Sequence, residues 1–207
     1  MKIAVINFGM GNLGSVRRSL ENLGVDVIVA EKPKQLSDVN RIILPGVGSF
    51  GEGMKKLRND GWVEALQTQV IEEHKPLLGI CLGMQMLASL GEENGLNKGL
   101  SFISGKVIRL DNLGCKFRIP HVGWNEVQYR ESTPLFKNIP QSMDFYFVHS
   151  YAFTSDDQVN VVAISAYGIA ITAAIQKDHI FGTQFHPEKS AKAGQQILKN
   201  FINFVPC

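Results

Sequence analysis

The sequence is short of cysteine, of net charge and of long apolar runs. Cys81, Cys115 and Cys207 are its three cysteines, an odd number in unlike surroundings. A disulfide framework is therefore not expected, and the reducing cytoplasm is the natural compartment. Lys and Arg total 21 against 19 Asp and Glu, a formal net charge of +2. That balance gives no electrostatic footprint for a nucleic acid or an anionic membrane. No apolar stretch approaches the roughly 18 residues that span a bilayer. Met1–Ile6 is apolar too briefly for a signal peptide and reads as a first strand. No closely spaced group of His and Cys suggests a metal site, and no cofactor is implied. Repeats, low-complexity tracts and long linkers are absent as well, so residues 1–207 are expected to form a single domain.

What is present describes an ordinary globular chain: 207 residues, 44% hydrophobic and 19% charged, enough to bury a sizeable core. The first half alternates strand-like and helix-like segments. Residues 2–7, 25–29, 41–44 and 77–80 read as short buried strands. Gly9–Asn12 supplies a turn and a helix N-cap, and Val16, Leu20 and Leu23 follow at helical spacing until Gly24. Residues 51–74 read as a helix broken near Gly61, and 82–90 as a helix behind the fourth strand. Beyond residue 100, segments 106–110, 124–129, 144–148 and 161–165 alternate as antiparallel or edge strands do. Residues 167–175 and 179–185 flank a hairpin turn at 176–178, and 191–204 is a closing helix. The fold class is α/β: a mostly parallel central sheet flanked by helices and extended by antiparallel strands.

Three segments carry chemistry. Gly79-Ile80-Cys81-Leu82-Gly83 lies between a buried strand and a helix, the cysteine form of the nucleophile elbow. Its glycines remove the Cβ atoms that a sharp turn would force into collision. The helix start favours a thiolate, and the Leu82 N–H points where an oxyanion would form. The bland alternative, a small core cysteine, is what Cys115 and Cys207 are taken to be. In the second segment, Gln184-Phe185-His186-Pro187-Glu188 ends an apolar strand with an imidazole and a carboxylate. Imidazole serves as base and then acid near neutral pH, and a carboxylate fixes its tautomer. Third, Pro45-Gly46-Val47-Gly48 follows a buried strand without the Lys-Ser/Thr of a phosphate loop. It reads as the second half of an oxyanion hole, with a plain βα turn as competitor.

Together these segments resemble the class I, or triad-type, glutamine amidotransferases, a flavodoxin-like family. The likeness runs from Met10-Gly11-Asn12 to Lys189-Ser190, and it identifies Cys81, His186 and Glu188 with the family's catalytic triad. Pro120–Asn125, Tyr146–Tyr151 and Phe185–Ser190 further resemble one branch, the HisH glutaminase subunits of imidazole glycerol phosphate synthase. A usual Asp-Tyr-Gly near the N-terminus is here Asn7-Phe8-Gly9. The resemblance implies oxyanion N–H groups at Val47 and Leu82, and glutamine binding by Gly48, Gln85, Glu93, His149, Ser150 and Tyr151. It also implies that Asn12, Trp124, Asn125, Tyr146 and Lys189 face a partner, a HisF-like (β/α)8 cyclase subunit in a heterodimer. Core packing is the competing reading of Trp124 and Tyr146. The function expected is glutamine hydrolysis through a cysteine thioester, with ammonia passed to the cyclase in histidine biosynthesis. Two alternatives stay open: a paralogue feeding another synthase, such as one forming an amidino sugar, and a non-catalytic partner-binding subunit.

Overall fold

The computed structural model describes residues 1–206, so Cys207 lies outside the described residues. Nine strands form the main sheet: β1 (Lys2–Ile6), β2 (Asp26–Ala30), β3 (Arg41–Gly46), β4 (Leu77–Cys81), β8 (His121–Tyr129), β9 (Met143–His149), β11 (Val161–Ala166), β12 (Ala170–Lys177) and β13 (Ile180–Thr183). Their order is β2-β1-β3-β4-β13-β12-β11-β8-β9. The first five are mutually parallel, and from β13 to β9 every pairing is antiparallel. A parallel block extended by antiparallel strands is the architecture read from the sequence.

The inner parallel strands are mostly apolar because both faces are covered. Side chains alternate between faces, so Ala4, Ile6, Ile42 and Leu44 join one core while Ile3, Val5, Ile43 and Leu78 join the other. Helices α2 (Phe50–Asn59) and α3 (Trp62–Leu66) close the first through Phe50, Met54, Leu57, Trp62 and Leu66. On the opposite face α1 (Leu13–Glu21) and α5 (Ala191–Asn203) contribute Val16, Leu20, Ile197, Leu198 and Phe201. Gly61 breaks α2 from α3, with φ +75°. The buried Arg41 Nε donates to the Ile202 carbonyl at 2.8 Å, tying the end of α5 to β3.

Several elements differ from the sequence reading. The helix read over 82–90 is only one turn, α4 (Leu82–Gln85). The segment is apolar because it is buried, and its carbonyls are claimed elsewhere. Leu100 N–H donates to Met86, Ser101 to Ala88, and both Phe102 and Ile103 to Leu87, so the helix cannot propagate. A second sheet, in the order β10-β7-β5-β6, contains β5 (Leu90–Gly91), β6 (Asn97–Lys98), β7 (Gly105–Arg109) and β10 (Tyr151–Ser155). Segment 106–110 therefore pairs outside the main sheet, against a strand starting at Tyr151 that the alternation did not reveal. Asn12 precedes α1 but its side chain makes no capping hydrogen bond.

α5 covers the face from which His186 is supported, and Phe201 is fully buried there. Phe201→Ala is expected to lower unfolding free energy in denaturant by about 3–5 kcal/mol. A loss under about 1 kcal/mol would show that α5 is not integral to that core.

Candidate active site

Strands β3, β4 and β13 are neighbours, so the three chemistry-bearing segments leave the same sheet edge at adjacent carboxyl ends. Ligands bind in such crevices of open α/β sheets. Cys81 ends β4 with φ 54° and ψ −109°, a strained backbone for a residue with a Cβ. Two glycines make the turn possible by close approach. A Cβ on Gly83 would lie 1.8 Å from the Leu44 carbonyl oxygen, and one on Gly79 would lie 2.7 Å from the Gly83 backbone.

The sulfur is almost buried, at 7% exposure for the residue. It lies 3.8 Å from the Val148 carbonyl oxygen and 3.7 Å from Gln184 Nε2. His186 Nδ1 bonds Glu188 Oε1 at 2.8 Å, and the two side chains are 2% and 1% exposed. Its Nε2 has no hydrogen-bond partner among the described residues. Burial alone would lower the imidazole pKa. The adjacent Cys81 sulfur and the hydrogen-bonded Glu188 carboxylate outweigh it and raise the value to about 10. The group is thus kept as an imidazolium between a sulfur and a carboxylate.

A cavity of about 350 Å³ opens on these groups, lined by Val47, Gly48, Cys81, Leu82, Gln85, Glu93, Pro120, Val148, His149, Ser150, Tyr151 and His186. Every glutamine-binding and oxyanion position named from the sequence is in that wall. Pro120 and Val148 are additions, and Glu188 stands behind His186. Glu93 is positioned by its Oε2, which accepts the Phe50 N–H at 2.7 Å at the start of α2. A larger hollow near His74 and Phe204 contains none of these residues. Among the described residues no three His, Cys, Asp or Glu side chains gather as a metal would require.

The glutamine amidotransferase class-I family model matches residues 4–204. The chain belongs to this family. It is a glutamine amidotransferase, and its curated relatives align over nearly their whole length. An imidazole glycerol phosphate synthase subunit HisH 1 of Campylobacter jejuni is 46% identical over 97% of this chain and 98% of that protein. The HisH subunit of a Geobacillus species is 43% identical over 98% and 97%. Solved structures agree on the fold. PurLQS from Thermotoga maritima has a TM-score of 0.73 at 21% identity, covering 98% of this chain and 97% of that one. A glutamine amidotransferase structure gives 0.75 at 18%, covering 97% and 96%.

Of the residues assigned to a partner face of this amidotransferase, Trp124 is 54% exposed, so core packing is excluded for it. It pairs across strands with Tyr146, whose ring has Lys189 Nζ 5.6 Å from its centre. Asn125 is half-buried beside them and donates to the Ala166 carbonyl at 2.9 Å. Asn12 is half-buried on the separate loop before α1. That loop meets the 45–48 segment: a Cβ on Gly48 would touch Met10, and one on Gly11 would touch Pro45.

His121, which the sequence reading left without a role, is buried against His149, Nδ1 to Nε2, at 3.0 Å. His149 Nδ1 faces the Tyr151 carbonyl at 2.9 Å. A carbonyl only accepts, so Nδ1 carries the proton and Nε2 accepts from His121 Nδ1. Both nitrogens of His149 are therefore committed inside the protein. His121 Nε2 lies 3.3 Å from Asn125 Nδ2 and is left to accept from it. His121 stacks on Phe147 and Tyr167, and its place between two aromatic rings is a signal that appears only in three dimensions.

Burial lowers the His121 pKa to about 4. For His149 burial, partly countered by the Tyr151 carbonyl, lowers it to about 3. Both values lie below the unfolded value of about 6.5. Their stabilisation is thus complete above pH 6.5 and declines as pH falls towards 4 and then 3. Each proton taken up on unfolding contributes about 1.4 kcal/mol per pH unit in that window. His121→Phe keeps the aromatic stack and removes one such proton. Denaturant unfolding between pH 6.5 and 5 should then show a slope smaller by about that amount; an unchanged slope would refute the neutral buried pair.

Proposed function

We propose that this chain is the glutaminase subunit of an imidazole glycerol phosphate synthase and that Cys81 is its nucleophile. The observation that carries the chemistry is Cys81 on a strained elbow, sharing one small cavity with a buried imidazole that is already held by a carboxylate. The near full-length likeness to HisH subunits supports the pathway.

In this reading the Cys81 thiolate attacks the side-chain carbonyl carbon of glutamine. The resulting oxyanion takes hydrogen bonds from the Leu82 and Val47 N–H groups. His186 gives its proton to the departing nitrogen, the C–N bond breaks, and ammonia leaves a glutamyl thioester. A water then loses a proton to His186 and attacks the thioester, releasing glutamate and restoring the thiolate. Glu188 holds the imidazole tautomer and offsets its charge throughout. Glu93 supplies the negative charge suited to the substrate's ammonium group. Gly48, Gln85, Ser150 and Tyr151 line the rest of its path, while His149 acts as a strut with both nitrogens already engaged.

Ammonia released here needs an acceptor. We place a (β/α)8 cyclase on the surface bearing Trp124, Asn125, Tyr146 and Lys189, with Asn12 at its margin. The backbone supports communication between that surface and the site. Tyr146 accepts the His186 N–H at 2.9 Å and donates its own N–H to Ser190 Oγ at 3.0 Å. A partner that shifts β9 would shift the imidazole.

Cys81→Ala is expected to lower glutamine hydrolysis by about 10⁴-fold or more, read as glutamate release from the full chain. Retention of most activity would overturn the nucleophile assignment. In the presence of an imidazole glycerol phosphate synthase cyclase subunit, hydrolysis should rise, and Trp124→Ala with Lys189→Ala should weaken the complex at least tenfold by titration calorimetry. A paralogous role feeding another synthase is indicated instead if hydrolysis is intact but that cyclase neither binds nor stimulates.

A further inference from the structure

Gln184 is fully buried and sits two residues before His186, yet the mechanism above gives it nothing to do. A carboxamide in a dry position is costly unless both its ends are used. Both are. Its Oε1 lies 3.0 Å from Gln85 Nε2, and its Nε2 lies 3.7 Å from Cys81 Sγ.

Which end faces the sulfur follows from a fixed point. Gln85 Nε2 also lies 2.9 Å from the Tyr151 carbonyl, and a backbone carbonyl can only accept. The Gln85 atom at that place must therefore be the amide nitrogen. The same nitrogen meets Gln184, so the Gln184 atom there must be oxygen, and N–H is left to face Cys81. Reversing either amide would set donor against donor or oxygen against oxygen.

Resting on the assignment of Cys81 as nucleophile, we infer that Gln184 is a positioning residue for it, donating an N–H to the sulfur and holding the thiolate in place for attack. The opposing neighbour makes the need for it plain. As a thiol, Cys81 points its S–H at the Val148 carbonyl, 3.8 Å away. Once the proton leaves, that carbonyl repels the sulfur, and the Gln184 N–H is the side-chain donor that remains beside the imidazolium. A hydrogen bond to a charged acceptor is stronger than one to a neutral acceptor, so the contact favours the thiolate over the thiol. Gln85 lies in the cavity wall, so the carboxamide that the substrate meets also sets the one that holds the nucleophile.

The test is Gln184→Met, near in volume and lacking the donor, with Gln184→Asn, which keeps a carboxamide but withdraws it by one methylene. On the full chain, the rate of Cys81 alkylation by iodoacetamide is followed against pH, alongside steady-state hydrolysis of L-glutamine. Both variants should alkylate about tenfold more slowly at pH 6.5, with the midpoint of the alkylation profile moved to higher pH. kcat should fall by a similar factor while KM changes less than twofold. Wild-type alkylation profiles and kcat in either folded variant would overturn the inference. So would a loss confined to KM, which would make Gln184 part of substrate binding. If Met fails to fold, Asn alone decides by the same profile. Loss of the underlying assignment reads differently: Cys81→Ala would then hydrolyse glutamine as the wild type does.

Discussion

Cys81 adopts φ 54° and ψ −109°, and that one backbone conformation dictates much of what surrounds it. Holding such a residue costs on the order of 1–3 kcal/mol, which only a rigid frame can supply. The frame is β4, buried along its whole length between β3 and β13. The one-turn helix after it presses so closely on β3 that no Cβ fits at Gly83. The strain lifts the sulfur off the sheet and into a space bounded by β9, through Val148, and by the segment after β13, through Gln184 and His186. Two apolar cores, one on each face of the sheet, keep that geometry from relaxing.

A second organising point is the Tyr151 carbonyl. It receives the Gln85 amide and the His149 imidazole, each at 2.9 Å. From it one hydrogen-bonded branch runs through Gln85 and Gln184 to the sulfur. The other runs through His149 and His121 to Asn125, beside the exposed Trp124. Because a carbonyl only accepts, every proton along both branches has one permitted place. The cavity beside Cys81 and the surface proposed for a partner are thus built on a shared set of oriented polar groups, and the backbone bond between Tyr146 and His186 joins them again.

Much of this was legible in the sequence because the deciding signals are local. The elbow glycines lie within two residues of Cys81, and the carboxylate is two residues from its imidazole. Strand alternation and the apolar parallel strands followed burial on both faces, so the sheet could be read as well. Local signals do not suffice where distant segments decide. Residues 82–90 looked helical since they are apolar, but loop 99–103 takes the carbonyls a longer helix would need. Tyr151–Ser155 pairs with Gly105–Arg109, 42 to 50 positions earlier, and no spacing announces that. His149 lies in the cavity wall where the resemblance puts it, but its contact with His121, 28 positions earlier, has no local signal. Gln184 carried no local signal, because its partner Gln85 lies 99 positions away in sequence.

The central claim is that the strained Cys81 forms a glutamyl thioester. Rapid-quench mass spectrometry of the full chain turning over L-glutamine tests it directly. One glutamyl group, labile to hydroxylamine, is expected on the peptide containing Cys81 and absent from Cys81→Ala. Steady glutamate release with no adduct on that peptide, or with the adduct on Cys115, would contradict it.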